Sequence, residues 1–285
     1  MGNRMCRLLC AAVLVAITAV PAFAAEVVPD VVYGHKDGMA LTFDVLKPTK
    51  ADGAAMIYMV SGGWVSRWSP PEQAATRFQA LLDKGFTVFV VRHGSSPKYL
   101  IPDIVADVRR AVRYIRYHAK TWSVDPDRMG VFGGSAGGHL SLMLGNDSDA
   151  GDASATEPFM KVSSRVASVV AYYPPVDLRR MARGLEAGAT GRFPALNFER
   201  EKAPDYSPLV FVTGDDPPTL LIHGDQDELV NISNSQIIYK AFQEAGVRTE
   251  FVTIPGAGHG FRGADAARAS ALMLDWFSQT LLKKN

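Results

Sequence analysis

Arg128-Met-Gly-Val-Phe-Gly-Gly-Ser-Ala-Gly-Gly-His-Leu140 decides the architecture. A short apolar run from Arg128 to Phe132 reads as a strand. A glycine-crowded sharp turn with one serine follows, and then the start of a helix. Gly133-Gly134-Ser135-Ala136-Gly137 fits G-x-S-x-G, a turn that forces its serine into a strained backbone conformation and lifts the hydroxyl clear of the sheet edge. Gly133 and Gly137 stand two residues either side of Ser135, where a side chain would block the close approach of strand and helix. Chance supplies this pattern often in a glycine-rich chain, so the strand-turn-helix context carries the reading.

Outward from the turn, apolar strands recur at residues 55–60, 86–91, 166–172, 219–223 and 250–254, separated by stretches with helical spacing. That alternation predicts an α/β fold with a mainly parallel central sheet and helices on both faces. The clearest helix spans residues 102–119, with Ile104, Val105, Val108, Ala111, Val112 and Ile115 as one apolar stripe and arginines opposite. The last helix is expected over 264–282. Near the start, 27–33 and 40–46 read as an antiparallel hairpin joined by Gly34–Gly38. From Leu178 to Ser207 no period holds, and a break of that length between strands reads as a small cap over the site.

The chain has 285 residues, 47% hydrophobic and 21% charged, enough for one sizeable domain. Arg4 and Arg7 precede an apolar run from Leu8 to Val20, followed by Pro21 and Ala22-Phe23-Ala24, the layout of a secretory signal peptide over residues 1–24. The catalytic domain is then residues 25–285. Export to the periplasm or the medium is expected, with no stable membrane anchor after cleavage. Both cysteines, Cys6 and Cys10, lie in the leader, so the mature chain needs no disulfide. Cys10 comes before the apolar run rather than after it, which argues against lipidation. The formal charge is +1 and loss of Arg4 and Arg7 leaves it near neutral, with no basic stripe. Nucleic acid and anionic membranes are therefore not expected partners.

A serine hydroxyl needs a base to take its proton and a group to orient that base. Of the histidines after the turn, His139 falls on the first helical turn and His223 ends a buried strand, so both read as structural. His259 lies in Pro255-Gly-Ala-Gly-His-Gly-Phe261, a loop between the last strand and the last helix, and suits the base. The acid belongs in Gly224-Asp225-Gln226-Asp227-Glu228. Spacing from the strand end favours Asp227, while Asp225 is suited to capping the turn. Negative charge developing on a carbonyl oxygen needs fixed N–H donors. Ala136 supplies one, and Val60-Ser61-Gly62-Gly63-Trp64, after an early strand, supplies the others. Trp64 and Trp68 beside that loop offer flat surfaces for a substrate. The scheme needs no metal or organic cofactor.

With these segments in hand the chain resembles α/β-hydrolase-fold serine esterases, close to the hormone-sensitive-lipase-like and bacterial feruloyl or acetyl-xylan esterase-like groups. Gly38–Val45, Asp125-Pro126-Asp127-Arg128, Pro217–Gly224 and Gly258–Phe261 join the two glycine motifs in carrying the resemblance. It implies a Ser135, Asp227, His259 triad, oxyanion donors at Gly62, Gly63 and Ala136, and hydrolysis of small or carbohydrate-linked esters through an acyl-enzyme. A prolyl-oligopeptidase-like peptidase is the enzymatic rival, and a non-catalytic hydrolase-like binding protein the rival from another class. One departure stands out: the family's oxyanion loop begins His-Gly, where this chain has Val60-Ser61.

Overall fold

The computed structural model describes residues 25–185 and 192–283. The expected leader lies outside the described residues. Eight strands form one sheet in the order β1-β2-β4-β3-β5-β6-β7-β8. They are β1 (Ala25–Lys36), β2 (Met39–Pro48), β3 (Ala55–Met59), β4 (Thr87–Val91), β5 (Met129–Gly134), β6 (Ser168–Tyr172), β7 (Thr219–Gly224) and β8 (Thr249–Ile254). β1 and β4 both pair antiparallel with β2, and every pairing from β4 to β8 is parallel. Strands buried on both faces need continuous apolar runs, and β4 is buried at all five positions.

Helices α3 (Ile101–Tyr117), α4 (Ala136–Asn146) and α6 (Ser233–Ala245) pack on one face. Helices α1 (Pro71–Arg77), α2 (Gln79–Asp83) and α7 (Gly263–Leu281) cover the other. This two-faced cover is the α/β-hydrolase arrangement. The chain leaves β3 for β4 on one side and returns to β5 on the other, so the strand order reverses at β3/β5. Ligand sites of open α/β sheets form at such a reversal, beyond the C-terminal ends of the strands. Here it sets the loop after β3 beside the turn after β5.

The hairpin is tighter than its sequence implies. β1 and β2 run on to Lys36 and Met39, leaving a two-residue turn at Asp37-Gly38 with φ of +47° and +79°. That is the twist-matching hairpin turn, and it leaves Gly34 inside a strand. Arg92, after β4, anchors the hairpin with a bidentate pair to the buried Asp44 at 2.6 and 2.8 Å.

The arginine face of α3 is itself covered. Arg109, Arg110 and Arg113 pair with Asp147, Glu157 and Asp149, and Arg116 donates to the carbonyl of Ser163. The helix is covered by chain segment 147–165 rather than open to solvent. Between β6 and β7 the expected cap includes α5 (Leu178–Leu185) and short 3-10 turns at Pro194–Leu196 and Arg200–Tyr206. Residues 186–191 of it lie outside the described residues. Ala195, Leu196 and Ala203 are buried, and Ser207 Oγ accepts from Leu178 N–H, so the two ends of the segment are tied together.

Candidate active site

Ser135 sits between β5 and α4 with φ +55° and ψ −120°, a conformation costing about 1–3 kcal/mol for a residue with a side chain. The surrounding glycines make the turn possible. A Cβ on Gly133 would lie 2.6 Å from the backbone of Gly137, and one on Gly137 would lie 2.8 Å from the carbonyl oxygen of Met59. Strand, helix and the preceding strand end meet there at backbone distance. The Ser135 N–H donates to the Tyr172 carbonyl at 2.9 Å, which pins the turn to β6.

His259 arrives on the loop between β8 and α7. Its Nε2 is 3.0 Å from Ser135 Oγ and its Nδ1 is 2.7 Å from Asp227 Oδ2. Asp227 is buried in the turn after β7, and its Oδ1 accepts the N–H groups of Leu229 and Val230 at 2.9 and 2.8 Å. The carboxylate is thereby fixed with one oxygen on the backbone and one on the imidazole. Because Asp227 Oδ2 is an acceptor, His259 carries its proton on Nδ1 and turns a bare Nε2 to the serine. Asp225 is placed elsewhere: its Oδ1 accepts Gly256 N–H at 2.7 Å, tying the β7 turn to the histidine loop.

The loop after β3 differs from expectation in detail. Gly62 N–H is engaged, donating to the Val65 carbonyl at 3.0 Å in a two-bond bridge. Among the described residues the N–H groups of Gly63 and Ala136 have no backbone or side-chain acceptor, which leaves both free to donate. Trp64 is 2% exposed, and its indole N–H donates to His139 Nδ1 at 3.3 Å. Its expected role as a substrate surface is corrected: the ring packs the loop, with Phe193 of the cap segment edge-on at 6.1 Å. Trp68 is exposed, in a recess shared with Met39, Arg92 and Tyr99 and lined by neither Ser135 nor His259.

His139 and His223 are structural, as their positions imply. His139 Nε2 donates to the Tyr206 carbonyl at 2.8 Å. His223 Nδ1 lies 2.8 Å from Ser235 Oγ, while its Nε2 lies 2.8 Å from the Val230 carbonyl and 3.3 Å from Asp227 Oδ2. His93, after β4, is a residue that sequence reasoning passed over. Its Nδ1 is 2.7 Å from the Gly94 carbonyl and its Nε2 is 2.9 Å from Ser61 Oγ. The available signal was a polar pair, Arg92-His93, ending an apolar strand.

Burial holds His93 and His139 neutral, each pushed from an ordinary value of 6.5 down to about 4. The unfolded chain takes up these protons near pH 6.5 and the folded chain does not until about pH 4, so stability is lost as pH falls through that window. At 1.36 kcal/mol per pH unit, each histidine should cost about 2 kcal/mol between pH 6.5 and 5. Urea unfolding at constant temperature checks this. A midpoint that stays put over the interval would mean that these imidazoles take up protons in place.

Near His259 lies a cavity of about 160 Å³ walled by Tyr58, Phe78, Phe132, Tyr172, Tyr173 and Phe261. Tyr173 joins it to the site, with its ring 4.7 Å from the His259 ring and 5.0 Å from Phe261. Tyr172 and Tyr173 could not be placed there from sequence, because both look like the end of an ordinary buried strand.

Comparison with known proteins matches the same fold. Residues 43–242 match the BD-FAE family model. A probable carboxylic ester hydrolase, LipM of Mycobacterium tuberculosis, is 26% identical over 85% of this chain and 58% of its own. An acetylxylan esterase of Xylanibacter ruminicola is 27% identical over 75% of this chain and 42% of its own. The chain thus spans about half the length of these curated relatives. Among solved structures, a truncated carbohydrate esterase from gut microbiota superimposes with a TM-score of 0.73 at 26% identity, covering 90% of this chain and 97% of that one. Thermogutta terrifontis esterase 2 gives 0.75 at 25% identity, covering 93% and 96%. The chain belongs to the BD-FAE family of α/β-hydrolase esterases.

Proposed function

We propose that this protein hydrolyses carboxylic esters through a covalent acyl-enzyme on Ser135. The observation that carries the reading is the unbroken hydrogen-bonded line from Ser135 Oγ through His259 to the buried Asp227. As Oγ bonds to the ester carbonyl carbon, His259 Nε2 takes the hydroxyl proton and Asp227 stabilises the imidazolium. The carbonyl oxygen becomes an oxyanion held by Gly63 and Ala136 N–H. The carbon–oxygen bond to the alcohol then breaks, and the alcohol leaves with the proton from His259. Water repeats the sequence on the acyl group and frees Ser135.

Short acyl chains or carbohydrate-linked esters suit the site. The Phe193 ring would stand 3.3 Å from a Cβ on Gly63, so the cap segment leaves little room above the oxyanion loop. The likeness to an acetylxylan esterase and to a carbohydrate esterase supports the same substrates. Export through the leader at residues 1–24 completes the reading, and it would place the enzyme where such polymers are met. The test is a panel of p-nitrophenyl esters of increasing chain length with acetylated xylan and methyl ferulate. kcat/KM should be highest for acetyl or propionyl and fall by roughly tenfold or more by octanoyl, with acetate released from xylan. Cleavage of a proline anilide at the rate of p-nitrophenyl acetate would favour a peptidase. A folded protein inert to every ester and unlabelled by a fluorophosphonate would favour binding alone.

A further inference from the structure

We infer that His93 and His139 are positioning residues for the oxyanion loop, two neutral imidazoles that grip Ser61 and Trp64 and so fix the Gly63 amide between them. The inference rests on the ester-hydrolase reading of Ser135. It answers the departure at Val60-Ser61, where the loop lacks the histidine usual in its family.

An oxyanion donor acts only if it already points at the place where charge will appear, and a displacement of about 1 Å can cost about 10²-fold in rate. The loop's own backbone supplies part of that rigidity, through the two-bond bridge between Gly62 and Val65. Gly62 and Gly63 are adjacent glycines, Gly62 is exposed, and Gly63 adopts φ +58°. Glycine permits the conformation but does not select it. The bridge closes the turn, and the flanking residues fix where the turn sits.

Both flanks end on buried histidines, and both contacts have the same logic. The indole of Trp64 can only donate, so His139 Nδ1 accepts, and His139 Nε2–H goes to the Tyr206 carbonyl. The Gly94 carbonyl can only accept, so His93 Nδ1 carries the proton, and Nε2 accepts the Ser61 hydroxyl. Each imidazole therefore receives one bond from the loop and gives one to a backbone carbonyl. At His139 only the neutral ring can do this, since a second ring proton would face the indole N–H. The two histidines stand on separate supports, one beyond β4 and one in α4, on either side of β3. Main-chain bonds extend the hold, from Val60 N–H to the Val91 carbonyl at 3.0 Å and from Ser96 N–H to the Trp64 carbonyl at 3.2 Å. A glycine at position 61 would have no hydroxyl to offer His93.

Ser61→Ala, a half-buried position, and Trp64→Phe each remove one donor while keeping most of the packing. On p-nitrophenyl acetate each should lower kcat by about 10- to 100-fold with KM little changed, since the lost placement matters only once the oxyanion exists. Affinity for a trifluoromethyl ketone, which adds to Ser135 and places an oxyanion in the hole, should fall by the same factor. His93→Gln, which keeps an acceptor, should retain more activity than His93→Leu. Variants that melt earlier but keep wild-type kcat and ketone affinity would overturn the inference and leave ester hydrolysis standing. Wild-type protein that neither cleaves esters nor binds the ketone would sink the ester reading, and the inference with it. Should Trp64→Phe fail to fold, Ser61→Ala alone decides.

Discussion

Ser135→Ala should abolish turnover, lowering kcat on p-nitrophenyl acetate by about 10⁴-fold or more. The variant keeps Cβ and the same backbone strain, so the turn, its glycine contacts and the Ser135 amide bond to Tyr172 all survive. What disappears is the only atom that can form the acyl bond. The residual rate would come from water attacking an ester held against Gly63 and Ala136, and oxyanion stabilisation with binding alone is worth about 10³–10⁴ over the uncatalysed reaction. An unchanged melting temperature with no fluorophosphonate labelling is the companion result. Undiminished turnover, or labelling at another serine, would remove Ser135 from the mechanism.

The elbow, the order of serine, acid and histidine, and the strand count up to β8 were legible because each follows from local rules. A strand-turn-helix with glycines at backbone contact distance leaves a sequence trace, and so does a histidine in a glycine-rich loop after the last strand. What escaped was decided by partners distant in sequence. Gly62 looked like a donor because nothing local shows that Val65 folds back on it. Trp64 looked like a substrate surface because its partner, His139, is 75 residues away. The partners of the α3 arginines went unread because segment 147–165 carries no period that foretells where it will lie. The Val60-Ser61 departure was visible as a loss; the gain that answers it, His93, becomes visible only when β3 and β4 are paired.

Asp227→Asn should cost about 10⁴-fold in kcat while leaving the fold and KM nearly unchanged. The expectation follows from which way the amide must point. Position 227 receives two backbone N–H groups, from Leu229 and Val230, on the oxygen away from His259. An asparagine keeps its carbonyl there, since turning the NH₂ toward two donors would leave all three unsatisfied. The NH₂ then faces His259 Nδ1 and donates to it. The imidazole responds by carrying its own proton on Nε2, directed at Ser135 Oγ, and in that tautomer it cannot accept the serine proton. The loss is one of proton placement rather than of structure, so binding of substrate should persist while acylation stops. Asp225→Asn is the matched control. Its carboxylate only ties Gly256 to the β7 turn, and kcat should stay within a few-fold of wild type. If Asp225→Asn inactivates the enzyme and Asp227→Asn does not, the acid has been misassigned, and the imidazole is oriented by the turn rather than by the buried carboxylate.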